Sequence, residues 1–243
     1  MLYYLDKDVI WFPPVEEAIE DGLLAFGGDL TPQWLLEAYS RGIFPWFNSD
    51  NSEILWWSPD PRFILFPQEL RLHRSLKQVM KKKIFTVSMD TAFQKVIAAC
   101  AMPRKKESGT WITARMQKAY IKLHAMGFAH SVEVWHDGML AGGLYGVSLG
   151  NAFFGESMFT SVDNASKVAL VTLNAVARRL GFAFIDCQVY TDNLKRFGAR
   201  FIERQEFMTL LNASLKHSTH QGSWSSLIHD GYDYLECLTG AGA

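Results

Sequence analysis

In the run Phe182-Ala-Phe-Ile-Asp-Cys-Gln-Val-Tyr190, a carboxylate at Asp186 and a carboxamide at Gln188 stand two residues apart among apolar neighbours. Alternation along a strand puts Phe184, Asp186 and Gln188 on one face and Ile185, Cys187 and Val189 on the other. Burying such polar groups is costly unless they are hydrogen-bonded or solvated. They therefore either tie down a neighbouring loop or line a cleft where a polar reaction happens. Glu156, predicted to share a strand face with Phe154 and Met158, is a second carboxylate in need of a partner or a cleft. Cys187 faces away from Asp186 and Gln188 and reads as ordinary packing rather than as a nucleophile.

Other chemistries leave no mark. No Cys/His set has zinc-ligand spacing, so no metal site is expected; His217 and His220 are a lone pair in a polar tail. Ser157 lacks the second glycine of Gly-x-Ser-x-Gly. Gly28-Asp29 has neither the order nor the lysine of a phosphate loop, and no Gly-x-Gly-x-x-Gly follows a strand. Without a visible nucleophile or metal, direct transfer from an already activated donor is the simplest chemistry left. Positioning and charge stabilisation would supply most of its rate, and no cofactor is expected.

The elements that must hold these groups can be read in outline. Thr31 and Pro32 predict the start of a short helix ending at Gly42. Prolines and clustered aromatics around it, as in Gly42-Ile-Phe-Pro-Trp-Phe and Trp56-Trp-Ser-Pro-Asp-Pro-Arg62, predict a packed loop layer rather than strands. Thr113 predicts a helix to about His124, with Met116, Tyr120 and Leu123 as its apolar stripe. Three strand-like runs follow at 130–135, 139–148 and 151–159. His136-Asp-Gly and Leu149-Gly-Asn between them predict an antiparallel meander. Asn164 caps a helix that leads into the Asp186 strand, and residues 194–212 suggest a last helix. The tail after about residue 215 stays unassigned. The class is α+β: a small N-terminal domain, residues 1–62, followed by a second domain, 63–243, with a sheet flanked by helices.

Bulk composition fits a soluble globular protein: of 243 residues, 49% are hydrophobic and 20% charged. No apolar run reaches the ~18 residues that span a bilayer, and the N-terminus lacks the order of a signal peptide. Cys100, Cys187 and Cys237 are odd in number and far apart, so a reducing cytoplasm is expected. Net charge is −1, yet residues 1–62 carry eleven acids against Lys7, Arg41 and Arg62. Residues 71–83 hold Arg71, Arg74, Lys77, Lys81, Lys82 and Lys83 with no acid. Arg115, Lys118 and Lys122 form a second basic stripe, and the two stripes flank Trp111. Such asymmetry points to a polyanionic partner.

Taken in order, these stretches resemble the bacterial leucyl/phenylalanyl-tRNA–protein transferase family. The resemblance rests on Gly22-Leu-Leu-Ala-Phe-Gly-Gly-Asp-Leu, Gly42-Ile-Phe-Pro-Trp-Phe, Trp56-Trp-Ser-Pro-Asp-Pro-Arg and Gly109-Thr-Trp-Ile-Thr. It continues through His130-Ser-Val-Glu-Val-Trp, Phe154-Gly-Glu-Ser-Met-Phe, Asn164-Ala-Ser-Lys and Ile185-Asp-Cys-Gln-Val, spanning roughly residues 10–210. The tail departs from the pattern, and Gln78 stands where a basic residue is expected.

The resemblance implies an N-acetyltransferase-like second domain with a mixed, mostly antiparallel sheet. It implies transfer of Leu or Phe, with Met as a further donor residue, from aminoacyl-tRNA to proteins beginning with Arg or Lys, marking them for N-end rule degradation. Trp46 and Trp111 resemble a pair that sandwiches the terminal adenine. Leu144, Phe153, Leu170, Leu173 and Ile185 are candidates for the aminoacyl side-chain pocket. Arg74, Lys77, Lys81, Lys82 and Lys83, with Arg115 and Lys118, would hold acceptor-stem phosphates. Asp186 and Gln188 resemble the catalytic pair. A neutral carboxamide is a very weak base, so Gln188 is expected to orient the amine while Asp186 fixes its amide and stabilises developing positive charge. Glu156, with Asp186, would attract the cationic acceptor residue. The enzyme is expected to act as a monomer, free of membrane. Two other readings stand beside this one. An acyl-CoA-dependent N-acetyltransferase would need a pyrophosphate loop that the chain lacks. A non-catalytic RNA-binding module would leave Asp186, Gln188 and Glu156 without a task.

Overall fold

A computed structural model describes residues 2–102 and 112–228. In chain order the elements are β1 (Tyr3–Leu5), β2 (Leu23–Gly27), α1 (Pro32–Ser40), β3 (Phe44–Pro45), β4 (Leu55–Trp57) and β5 (Arg62–Leu65). Then come α2 (Arg74–Lys81), β6 (Thr86–Met89), α3 (Phe93–Cys100), α4 (Ala114–Ala125), β7 (Ala129–His136), β8 (Met139–Leu149) and β9 (Ala152–Thr160). The last are α5 (Ala165–Arg179), β10 (Phe184–Gln188), α6 (Asp192–Arg196), β11 (Arg200–Ile202) and α7 (Arg204–Ser214).

The strands form two sheets, of order β1-β2-β4-β3 and β11-β5-β10-β9-β8-β7-β6. The larger sheet is antiparallel except where β10 lies parallel to β9. A parallel pair needs a crossover, and α5 supplies it. One face of this sheet packs against α1, α3, α4 and α7 through Tyr39, Val96, Tyr120 and Phe207. Its other face packs against α2 and α5 through Leu76, Met80, Leu170 and Leu173.

Caps set the helices that matter most here. Thr31 accepts the Trp34 N–H at 3.4 Å and Thr113 the Met116 N–H at 3.3 Å, as their positions predict. Asn164 differs: it precedes α5 in a left-handed conformation, its side chain caps nothing, and its Oδ1 accepts from Lys167 Nζ at 3.0 Å.

Three expectations are corrected. The first sixty residues are not a loop layer. Their strands, two to five residues long, form a sheet because cross-strand pairs of aromatics such as Phe44 and Trp57 bury area that short ladders can use. Residues 194–212 are not one helix, since Gly198 (φ +102°) breaks the run and admits edge strand β11 before α7. Finally, Phe154 and Met158 do not share a face. Between the pairs Tyr145–Ser157 and Gly146–Gly155, Glu156 is an extra residue, a bulge that inverts the alternation. Phe154 packs toward α3 and α4, and Met158 toward α5. At Gly146 a Cβ would stand 2.2 Å from the Phe154 oxygen, so the bulge needs glycine opposite it.

Candidate active site

Parallel pairing sets Phe154 of β9 beside Asp186 of β10, so two residues further along Glu156 and Gln188 meet. Gln188 Nε2 donates to Glu156 Oε1 at 2.8 Å. Gln188 reaches this position through a second irregularity, between Asp186 and Gln188. There its backbone turns left-handed at φ +61°, a conformation that costs a non-glycine residue roughly 1–3 kcal/mol. The Gln188 backbone N–H donates to Asp186 Oδ1 at 2.8 Å and holds the turn.

Glu156 is the hub. Tyr39 of α1 donates to its Oε1 at 2.6 Å and Tyr120 of α4 to its Oε2 at 2.9 Å, and the two hydroxyls also touch each other. Burial pushes the Glu156 carboxyl up to about 7, against the three donated hydrogen bonds that pull it down; nearby Asp186 adds to the rise. With its Nε2 committed to Glu156, Gln188 keeps Oε1 without a hydrogen-bond partner among the described residues. An ionised Glu156 only accepts, so the Gln188 amide turns Nε2 to it and Oε1 away.

Asp186 makes different contacts from the ones expected. It is fully buried and paired with Arg62 of β5, whose Nε lies 3.0 Å from Oδ1 and Nη2 2.7 Å from Oδ2. The guanidinium sits over the rings of Phe44 and Phe207, at 4.8 and 4.6 Å from their centres. A carboxylate engaged this way has no free charge for an incoming cation, and it fixes the backbone of Gln188 rather than its side-chain amide. Glu156, 9% exposed, is the carboxylate beside Gln188 that has no cationic partner among the described residues. Burial also pushes the Cys187 thiol far up, in keeping with inert packing.

Sequence reasoning missed Arg62, Tyr39 and Tyr120. The two tyrosines lie on apolar stripes, and a buried phenol needs a hydrogen-bond partner, which is the signal available.

The other expected residues fall into separate groups. Trp46 is 40% exposed beside Trp57, ring centres 5.9 Å apart, on a loop tied to the start of α4. Asp50 of that loop accepts the Ala114 and Arg115 N–H groups at 3.1 and 2.9 Å. Trp111 lies outside the described residues. Leu144, Phe153, Leu170, Leu173 and Ile185 gather in the apolar layer between the sheet and α5, with Met158 half-buried against it. That layer is on the opposite side of the sheet from Tyr39 and Tyr120. Arg74, Lys77, Lys81, Lys82 and Lys83 are all exposed on or just after α2, and Lys118 is exposed on α4. The two helices cover opposite faces of the sheet, so their basic stripes are not one surface. Arg115 turns its guanidinium onto the Trp46 loop, at 3.3 Å from the Asp50 carbonyl oxygen.

The chain matches the family model described as leucyl/phenylalanyl-tRNA protein transferase over residues 64–212, and that of its N-terminal domain over residues 28–60. A protein of Syntrophus aciditrophicus named leucyl/phenylalanyl-tRNA–protein transferase is 57% identical over 90% of this chain and 91% of its own length. Relatives of the same name from Lawsonia intracellularis (53% identical, 92% of this chain, 98% of its own) and Pseudomonas putida (52%, 93%, 100%) match as broadly. Among solved structures, an aminoglycoside acetyltransferase from a soil metagenome matches with a TM-score of 0.35 and 12% identity, over 63% of this chain and 97% of its own. Among the described residues no helix is long and apolar enough to cross a membrane.

Proposed function

Because the chain belongs to the leucyl/phenylalanyl-tRNA protein transferase family, we propose that it moves a leucyl or phenylalanyl group from tRNA to the α-amino group of proteins beginning with Arg or Lys. The reaction runs in the cytoplasm on a monomer. The small N-terminal domain, residues 1–62, precedes an N-acetyltransferase-like catalytic domain. The change of sheet between Trp57 and Arg62 supports that boundary.

The observation that carries the reading is the hydrogen bond from Gln188 Nε2 to Glu156 Oε1. It leaves Gln188 Oε1 as an acceptor for the N–H of an attacking amine. The donor is an ester, so aminolysis is downhill. The amine nitrogen bonds to the acyl carbon, the bond from that carbon to the ribose oxygen breaks, and the proton lost by the amine ends on that oxygen. Gln188 orients the nucleophile. Glu156, anionic once the pH exceeds about 7, stabilises positive charge on the amine and attracts the Arg or Lys side chain. Tyr39 and Tyr120 hold that carboxylate, and Arg62 with Asp186 holds the turn that presents Gln188. Asp186 and Gln188 thus act as a positioning residue and an orienting catalytic residue.

Trp46 and Trp111 stack on the terminal adenine, and the basic face of α2 takes acceptor-stem phosphates. The layer of Leu144, Phe153, Leu170, Leu173 and Ile185 forms the floor of the aminoacyl side-chain site. Apolar sites discriminate weakly per methylene, so one floor serves both leucine and phenylalanine.

The test is labelled Phe-tRNA or Leu-tRNA with two peptides, one beginning with Arg and one with Ala. Transfer to the Arg peptide alone is expected. No transfer to either, with tRNA still bound, overturns the enzyme reading in favour of an RNA-binding protein.

A further inference from the structure

Beyond Gln188 the chain builds a surface that neither the transfer chemistry nor the helix α2 uses. Val189 and Tyr190 emerge from β10, and Phe201 stands beside them on edge strand β11; Tyr190 is 42% exposed and Phe201 48%. Their rings are near-parallel, 15° apart with centres 5.9 Å apart. Both rest on buried Phe63, at 5.3 and 4.8 Å. The Tyr190 hydroxyl donates to Asp192 Oδ1 at 2.6 Å, which fixes the ring, and Lys195 Nζ lies 5.6 Å from its centre. Two exposed rings held on a buried third present a fixed apolar surface to solvent.

This surface is continuous with α2. The Arg71 N–H donates to the Phe197 carbonyl oxygen at 2.8 Å, and His73 Nε2 lies 3.0 Å from that of Arg196. Exposed Lys195 and Arg196 therefore adjoin the basic run that begins at Arg71.

We propose that Tyr190 and Phe201 form a stacking platform for the unpaired cytidines that precede the terminal adenosine of the aminoacyl-tRNA, with Lys195 and Arg196 on the adjoining phosphates. This rests on the transferase reading above and names where the single strand runs. Tyr190 is two residues past Gln188, and α2 lies beyond it, so a strand leaving the reaction centre for a stem held on α2 crosses these rings. Aromatic rings stack on any base, and cations beside them neutralise phosphates. Lys195 and Arg196 outnumber Asp192 beside these rings, which disfavours an acceptor beginning with Arg or Lys.

The experiment uses the full chain and two trimmed tRNAs, one lacking only the terminal adenosine and one lacking both cytidines as well. The wild-type protein is expected to bind the first about tenfold more tightly. The Tyr190→Leu/Phe201→Leu variant, which keeps an apolar cover but no ring, is expected to bind the two within twofold of each other. The variant's affinity for the shorter tRNA reports whether the α2 face is intact. If the double variant does not fold, Tyr190→Leu alone is expected to reduce the discrimination at least threefold. Equal binding of both tRNAs by the wild type, or undiminished discrimination in the variant, overturns the platform. Phenylalanine transfer by the wild type, measured in parallel, separates the two claims. Transfer without cytidine discrimination removes the platform alone, whereas absence of transfer removes the transferase reading beneath it.

Discussion

Glu156 and Gln188, each beside an irregularity in its own strand, meet through a 2.8 Å hydrogen bond from carboxamide to carboxylate. The parallel register sets the two residues side by side, and the left-handed turn at Gln188 brings its carboxamide onto the carboxylate. The bond makes one carboxamide orientation the stable one and couples it to the charge on Glu156.

That charge sets a pH dependence. In the unfolded chain the Glu156 carboxyl titrates near 4.5, and in the folded protein near 7. Between these values the folded state holds a proton that the unfolded state has released, so stability is lost as pH rises through that window. Glu156→Gln removes the effect. Relative to wild type, the variant should gain stability from pH 4.5 to above 7, by on the order of 3 kcal/mol at most. Urea denaturation at pH 5 and pH 8 measures it, and parallel shifts in both proteins would contradict the account.

Tyr39→Phe and Tyr120→Phe each remove an O–H donor that favours the ionised carboxylate. A hydrogen bond to a charged group is worth roughly 1.5–3 kcal/mol. Each variant should therefore move the acidic limb of the pH–rate profile upward by about one to two units. A limb that stays in place would mean that Glu156 does not control the rate.

Asp186→Ala leaves Arg62 buried without its carboxylate and should cost about 3–5 kcal/mol. Adding Arg62→Met removes the stranded charge and should recover at least half of that loss. Equilibrium denaturation of the single and double variants reads this directly. Additive costs would show that the pair is not the unit described.

Trp46→Ala should raise KM for aminoacyl-tRNA about 5- to 150-fold, as expected for loss of one base stack, with a smaller change in kcat. Trp46→Phe should recover most of the affinity. An unchanged KM in the alanine variant would assign the exposed ring to another partner.

Much of this architecture is legible in the sequence where it depends on local pattern. Thr113 and the Met116-Tyr120-Leu123 stripe specify α4, and the turns at His136 and Leu149 specify the meander. Alternation also puts Phe184 and Asp186 on the face opposite Ile185. What escapes is set by events between distant segments. Arg62 and Asp186 are 124 residues apart, and nothing near either one names the other. The bulge at Glu156 inverts the side to which Met158 points, although a period-two reading of β9 is locally correct on both sides of it. The short strands β3 and β4 have no periodicity to read; their cross-strand aromatic pairs exist in three dimensions alone.

The central claim is that Gln188, held by Glu156, orients the attacking amine. Single-turnover transfer from Phe-tRNA to an Arg-initiated peptide, at saturating tRNA, tests it most directly in Gln188→Ala. The account predicts a rate lower by about 100-fold or more, with tRNA affinity within twofold of wild type. Transfer at the wild-type rate would contradict it.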